Sequence, residues 1–373
     1  MNKVLLTATV QSHICQFHRP LVKLLHENGY EVHIAARNNL AEKNGLKLDF
    51  ADKVFDINFA RSPFSKNNIT AYKQMKKLLS ENHYDVIHCN TPMGGMITRL
   101  AADRYRKEGT KVFYTAHGFH FYEGAPKKNW VIYYPIEKQM AKKTDKLITI
   151  TKEDYALASK KFRTNSYHVH GVGVNSKKYE LFTEEEKVKT RKELGYGEGE
   201  PLLLSVGELL VNKNQKTIIK AMSSIVKRYP DCKLLLAGNG SEEQNLKALA
   251  SELGLQNNVV FLGYSLILQK YENICDVAVS CSYREGLPLN IMEAMLCKKP
   301  VVASVNRGHK ELVAQGRTGY LVNPDDAEAF AENIIKLLGD KKLCEQLGEN
   351  AYDDVQQFTD VSVTEELRKL YEL

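Results

Sequence analysis

Short apolar runs alternate with stretches in which apolar residues recur every three to four positions. The runs at residues 4–8, 31–35, 54–57, 86–89, 111–115 and 146–150 predict strands, and the spacing over 17–28, 68–82, 95–107 and 130–142 predicts helices. Strands and helices alternating at this interval predict an α/β fold with a parallel, doubly wound sheet. Gly-Val-Gly-Val-Asn at 171–175, followed by a charged run over 183–192, interrupts the rhythm and reads as an interdomain link. The pattern then restarts, with strands expected at 202–206, 233–237, 259–262, 277–280 and 300–303. Helices fit at 214–228, 241–253, 265–273, 291–297, 309–315 and 327–338. The expectation is two Rossmann-like domains, 1–170 and 171–357, with a C-terminal helix at about 358–373 packing back on the first. Their strand carboxyl ends would line one cleft, where open α/β sheets bind ligands.

Length agrees with two domains, because 373 residues exceed one usual core. Hydrophobic residues make up 43% and charged residues 26%, as in a soluble globular protein. No apolar stretch is long enough to cross a membrane, and the first apolar run meets Gln11 and Ser12 too soon for a secretory signal. The expected location is cytoplasmic. Seven scattered cysteines without a C-x-x-C pair indicate neither a disulfide framework nor a structural zinc site.

The net charge of +7 is unevenly spread. Residues 1–170 hold 27 Lys/Arg against 15 Asp/Glu, and residues 171–373 hold 25 against 30. A basic front half suits nucleic acid, an anionic membrane surface or a phosphorylated substrate, and it also suits a plain solvated face. No nucleic-acid motif accompanies the charge, so nucleic acid is not expected. Lys127, Lys128, Lys138, Lys142 and Lys143 are interleaved with Trp130, Tyr133 and Tyr134, a composition fitted to an anionic membrane surface. The same residues also fit a core-packed aromatic set with solvated lysines.

The candidate chemistry lies at strand-to-helix junctions. In Arg-Glu-Gly-Leu-Pro-Leu-Asn-Ile-Met-Glu, residues 284–293, two carboxylates flank a Gly/Pro turn, with Glu285 on the loop and Glu293 expected in a first helical turn. Free N–H groups at such a junction attract an anion, and carboxylates accept hydrogen bonds from sugar hydroxyls. Spacing alone also fits two solvated cap residues. Upstream, Gly207 closes a tight turn after a strand and Lys213 precedes a helix, within reach of a diphosphate; an isolated surface lysine would look the same. Ala237-Gly-Asn-Gly, with Gly238, and Phe261-Leu-Gly-Tyr264 add two further glycine turns where a ligand can approach the backbone. In the front half, His117 and His120 follow the strand 111–115. His13, His18 and His88 are further candidates, and no pair has the local spacing of a zinc site.

Taken in order, Val-Gly-Glu-Leu with Lys213, Ala-Gly-Asn-Gly, Phe-Leu-Gly-Tyr, Glu285-x7-Glu293 and Pro300-Val-Val-Ala resemble the retaining GT-B glycosyltransferases of family 4. The resemblance covers nearly the whole chain. The segments at 9–18, 115–122 and 124–130 resemble the branch that builds bacterial capsules and exopolysaccharides. It implies that Glu293 binds the ribose hydroxyls and Glu285 a hydroxyl of the donor sugar. Main-chain groups of Gly286, Leu287, Pro288, Leu289 and Asn290 would lie beside sugar and phosphates, although Pro288 has no N–H to offer. Lys213 would neutralise the diphosphate, the main chain near Tyr264 would receive the base, and His117 would reach the sugar. His13, His18, His120 and Trp130 are the acceptor-side candidates.

Two departures from the family pattern stand out. Members usually carry an arginine directly after the glycine where this chain has Glu208, and many carry a Gly-Gly pair where it has Val10, Gln11, Ser12 and His13. The expected reaction is transfer of a sugar from a nucleotide diphosphate sugar, a UDP-sugar, to a lipid-linked glycan at the inner face of the cell membrane. Retention would come through front-face displacement without an enzyme nucleophile. No Asp-x-Asp occupies a nucleotide-sugar position, so no required metal or other cofactor is expected. The rival readings are a nucleotide-sugar 2-epimerase on the same fold and a non-catalytic sugar-nucleotide-binding subunit.

Overall fold

The structure, a computed structural model, describes residues 2–42, 45–122 and 124–373. It divides into two compact units, one running up to Gly173 and resuming over Asp360–Leu373, the other Val174–Thr359.

The first unit is built on a parallel seven-stranded sheet. Its strands are β1 (Asn2–Val10), β2 (Tyr30–Arg37), β3 (Lys53–Asp56), β4 (Val86–Asn90), β5 (Lys111–Ala116), β6 (Lys146–Thr149) and β7 (Asn165–His168), in the order 3-2-1-4-5-6-7. Central β1 pairs on both sides, with Val4 opposite Val32 and Val86. Covered on both faces, it has no solvent side and so reads as a nearly continuous apolar run; Val4, Leu5, Leu6 and Ala8 are fully buried. Strand order reverses between β1 and β4, which opens a crevice at their carboxyl ends. The helix Asp360–Tyr371 belongs to this unit. Tyr371 Oη lies 2.7 Å from His88 Nδ1, and Lys146 Nζ donates to Leu370 O at 2.6 Å. The departing and returning chain run side by side, so closely that a Cβ on Gly173, whose φ is +81°, would come within 2.6 Å of Asp360 Cα.

In the second unit the sheet has six parallel strands: β8 (Leu202–Val206), β9 (Lys233–Ala237), β10 (Val259–Gly263), β11 (Val277–Ser280), β12 (Val301–Ser304) and β13 (Gly319–Val322), in the order 10-9-8-11-12-13. Leu203, Leu234, Leu236, Ile218, Met222 and Phe330 fill its core. Here the order reverses between β8 and β11, again placing a crevice at the carboxyl ends.

The charged run over 183–192 is a helix, Glu184–Glu193, of the second unit and not a link. Thr183 and Glu186 form a reciprocal capping box at its start. At its end the Arg191 guanidinium turns inward, meeting the Gly197, Glu198, Glu200 and Ile274 carbonyls and both oxygens of Asp276 at 2.7–3.3 Å. A side chain that binds six acceptors anchors its helix, which is why a nearly all-polar sequence is held in place here.

Candidate functional site

The loops at the β8/β11 reversal assemble most of the predicted residues of the second unit. After β8 the chain turns at Gly207, and after β9 at Gly238, whose φ values are +152° and +142°. A Cβ on Gly238 would collide with Gly207 O, and one on Gly240 with Leu209 O. The two turns therefore pack backbone on backbone, and glycine is required by contact as well as by φ. Lys213 follows on a short 3-10 turn that ends at Asn214 in the left-handed region, φ +53°. Asn212 Nδ2 donates to Arg284 O at 3.0 Å and its carbonyl accepts from Tyr283 N at 2.8 Å. This staples the Lys213 loop to the Glu285 loop.

The result is an ion pair, Lys213 Nζ to Glu285 Oε1 at 2.6 Å, with both side chains mostly buried. Lys213 pairs with Glu285, while the Glu208 side chain is exposed. Asn290 does not present its amide outward: its Nδ2 donates to Val206 O at 2.9 Å, tying the helix Leu289–Leu296 to β8. Glu293 lies beyond the first turn of that helix, not within it, because the helix already begins at Leu289. Burial pushes its carboxyl up, and Tyr179 and Lys178 oppose that shift. Gly286 through Leu289 lead into the helix, leaving the first N–H groups after Pro288 without intrahelical acceptors. On the neighbouring turn Gly263 O accepts from Gly238 N at 2.8 Å, while Tyr264 and Leu266 are 63% and 82% exposed, an apolar shelf of a kind that suits a base.

Two residues that the sequence did not single out complete this site. His309 is fully buried with Nδ1 2.7 Å from Ser304 O, close enough to Glu285 and Lys213 for their charges to act on it. Nδ1 also lies 2.9 Å from Asn306 Nδ2, so a carbonyl and an amide donor meet at one nitrogen, and Nε2 is buried without a partner among the described residues. Glu272 is 1% exposed with both carboxyl oxygens unpartnered among the described residues. Burial, reinforced by the Glu293 carboxylate, holds it well above the ordinary carboxyl range.

In the first unit, His13 lies on the helix Gln11–Phe17 after β1, and His18 between that helix and Arg19–Glu27. His117 follows β5. The three rings come together, with centroids 4.5–5.8 Å apart. The absence of local zinc spacing thus concealed a cluster that forms only through the fold, since 104 positions separate His13 from His117. His88 is fully engaged, by Tyr371 on one nitrogen and by Thr115 Oγ1 at 2.7 Å on the other. His120 stacks on Tyr133 at 4.5 Å and, with His13, lines a cavity of about 450 Å³ that also includes Ser12, Phe119 and Glu137.

Trp130 does not line that cavity: it packs against Phe121 and Tyr134, and its Nε1 donates to Tyr122 O at 3.2 Å. Trp130, Tyr133 and Tyr134 are all half-buried against the core, so the aromatic part of the membrane-surface expectation is spent on packing. Beneath the cavity, Arg99 is 0% exposed, donates to both oxygens of Glu137 at 3.0 and 3.2 Å and to Gly95 O at 3.0 Å, and lies 3.7 Å over the Tyr114 ring.

The buried histidines of the first unit and the buried carboxyls of the second carry opposite proton linkage, while His309 in the second unit follows the histidines. Burial lowers His117 from 6.5 to about 4 and His88 to about 3, so between pH 6.5 and about 4 the unfolded chain takes up protons that the folded first unit refuses. Stability of that unit is therefore lost as pH falls through this window. Glu272 and Glu293 are raised, so their contribution to the second unit is present at low pH and lost as pH rises above the ordinary carboxyl range. Hydrogen exchange, corrected for intrinsic rates, is expected to quicken in β1, β4 and β5 between pH 7 and 5 and to slow around the helix Leu268–Ile274. The reverse pattern would contradict these assignments.

Two Rossmann-like parallel sheets, the second with an ion pair and glycine turns at its strand-order reversal, define a GT-B glycosyltransferase architecture. Residues 3–151 match the family described as Glycosyl transferase 4-like, and residues 186–354 match Glycosyl transferases group 1. EpsD of Bacillus subtilis (strain 168), a protein named as a glycosyltransferase, is 39% identical over 99% of this chain and 96% of its own. An Escherichia coli UDP-Gal:alpha-D-GlcNAc-diphosphoundecaprenol alpha-1,3-galactosyltransferase is 27% identical, covering 82% of this chain and 81% of its own. HepE of Anabaena, solved in complex with UDP, has the same fold, with a TM-score of 0.77, 21% identity and full coverage of both chains. The chain belongs to the group 1, family-4-like glycosyltransferases, and it is a glycosyltransferase.

Proposed function

We propose that this glycosyltransferase takes its sugar from a UDP-sugar, with retention, and passes it to a lipid-linked glycan in capsule or exopolysaccharide synthesis. The observation that carries the reading is the Lys213–Glu285 pair at 2.6 Å, a cation for a diphosphate beside an acceptor for a sugar hydroxyl, set among glycine turns. The Escherichia coli relative is named for a UDP-sugar donor and an undecaprenol-linked acceptor, and HepE was solved with UDP. Both support the choice of donor and acceptor class.

On this reading Glu293 receives the ribose hydroxyls and the peptide groups from Gly286 to Asn290 receive sugar and phosphates. The backbone near Tyr264 receives the base, and Gly207 and Gly238 keep the floor low enough for the nucleotide. His117 accepts or donates to a hydroxyl of the transferred sugar, and His13, His18 and His120 serve the acceptor. The departing diphosphate, neutralised by Lys213, takes the proton from the acceptor hydroxyl on the face where the new bond forms. Catalysis then rests on alignment and on leaving-group charge, each worth several kcal/mol.

The test is UDP release from a panel of UDP-sugars with and without membrane extract, in the presence of chelator. Acceptor-dependent release with a sugar-lipid product supports the proposal. Epimer formation without acceptor, binding without turnover, or inhibition reversed by magnesium counts against it. Glu293→Ala is expected to weaken UDP binding by about 10- to 100-fold, the value of a hydrogen bond to a charged group, and calorimetry with UDP alone checks it.

We propose further that the protein sits at the membrane surface through the helix Lys127–Ala141. Val131, 74% exposed, and Ile132 supply the apolar contact there in place of the inward-packed aromatics, beside exposed Lys127, Lys128, Lys138 and Lys142. Among the described residues no helix is long and apolar enough to cross a membrane. Flotation with anionic vesicles is expected to carry the protein, and Lys128→Glu/Lys138→Glu to reduce binding by at least about 30-fold, at roughly 1 kcal/mol for each of the two lost cations.

A further inference from the structure

The imidazoles of His13, His18 and His117 each place a ring nitrogen within 4.8 Å of the other two. His13 Nε2 and His117 Nε2 are 3.3 Å apart. His18 is 6% exposed, and its Nε2 is buried with no partner among the described residues. Next to His18 and His117 lies a cavity of about 20 Å³, room for one water-sized guest. A buried nitrogen lone pair or N–H that meets nothing is costly unless something fills the space beside it.

A metal ion would satisfy all three rings at once. Zinc–imidazole bonds of about 2.0–2.1 Å in a tetrahedron separate the ligand nitrogens by about 3.3–3.4 Å. His13 and His117 already stand at that separation, and the remaining approach of about 1.4 Å, measured from the 4.8 Å limit, is within a side-chain rotation. We infer that His13, His18 and His117 form a three-histidine site for a zinc-class divalent cation, with a fourth position left open. Three neutral nitrogens suit zinc, copper or nickel, and they do not suit magnesium or calcium, which take oxygen ligands.

Asn90 sits next to the site with its Oδ1 3.0 Å from His117 Nε2 and its Nδ2 buried and unpartnered among the described residues. In the free protein the His117 Nε2 proton is shared between Asn90 Oδ1 and His13. When the ion binds, that proton moves to Nδ1 or leaves, and Nε2 gives its lone pair to the metal. A metal-bound Nε2 cannot also hydrogen-bond a sugar, so with the ion in place only Nδ1 of His117 is left to meet a donor hydroxyl.

The alternative is a purely hydrogen-bonded histidine cluster that closes the loop after β5. Cobalt(II) titration of the chelator-stripped, full-length protein separates the two without nucleotide or sugar present, so its outcome is independent of the proposed reaction. One equivalent is expected to bind with the visible bands of tetrahedral cobalt, and zinc is expected to displace it. His13→Cys, at a half-exposed position, should keep the ion and add a thiolate-to-cobalt band in the near ultraviolet. His18→Asn, with folding checked by circular dichroism, should weaken zinc binding by more than about 100-fold, since even an outer partner of a ligand is worth 10- to 100-fold. The inference is overturned by the absence of tetrahedral bands in the unmodified protein, by bands that His13→Cys leaves unchanged, or by a thiolate band present before any substitution, which would put the ion on a cysteine.

Discussion

Lys213→Ala is expected to lower kcat by about 10²- to 10³-fold, the cost of removing one group that stabilises developing charge, with a small change in donor KM. The reason lies in the ligand-free pair. Lys213 and Glu285 hold each other at 2.6 Å, so the lysine is oriented and partly desolvated before any phosphate arrives. Removing it leaves Glu285 without its partner at the place where leaving-group charge would build. Glu285→Gln, which keeps a hydrogen-bond acceptor but frees the lysine, is expected to cost less in kcat and more in donor selectivity. A double-mutant cycle should be non-additive, because either single change already breaks the pair. Steady-state kinetics over the donor series decides the matter: a raised KM with unchanged kcat in Lys213→Ala would move the lysine from leaving-group stabilisation to simple binding.

Glu137→Ala is expected to destabilise the first unit by about 3–5 kcal/mol, because it strands a buried guanidinium. Arg99 is fully enclosed, and its charge is met by Glu137, the Gly95 carbonyl and the Tyr114 ring face. For a unit of this size the melting temperature should fall by roughly 2–4 °C per kcal/mol. Replacing both partners with apolar residues, Arg99→Met with Glu137→Leu, is expected to recover most of the loss, as apolar packing commonly equals or betters a buried ion pair. Thermal unfolding of the single and double variants measures both effects. A single variant within about 1 kcal/mol of the parent would mean that water already reaches Arg99 through the adjoining cavity.

The sheets were legible where their strands are central and apolar. β1, β4, β8 and β11 are covered on both faces, and their sequences say so. The outer strands β7 and β13 were missed: each has four residues, and Asn165-Ser-Tyr-His168 carries no apolar run because an edge position does not demand one. The helix Glu184–Glu193 was hidden by its charge, although its Thr183-x-x-Glu186 capping box was a usable signal. In the site, Glu285, Glu293, Lys213 and the glycine turns stand near strand ends, and it is their order along the chain, matching the family pattern, that brought them together. Glu272, His309 and the histidine cluster could not be found in this way, because what distinguishes them is burial and neighbours brought from distant segments. The Arg99–Glu137 pair is another contact of this kind, spanning 38 positions.

The return of the chain to the first unit at Asp360 sets an order on its synthesis. Domains generally fold as units, the N-terminal one first, as the chain is made. The first sheet can pair as soon as residue 168 is available, yet Val363, Leu370 and Tyr371, all buried in that unit, are made only after the whole second unit. Until then His88 lacks the phenol of Tyr371 and Lys146 the carbonyl of Leu370. The unit whose sheet is made before the second unit is therefore closed only after it, once the helix Asp360–Tyr371 has been made.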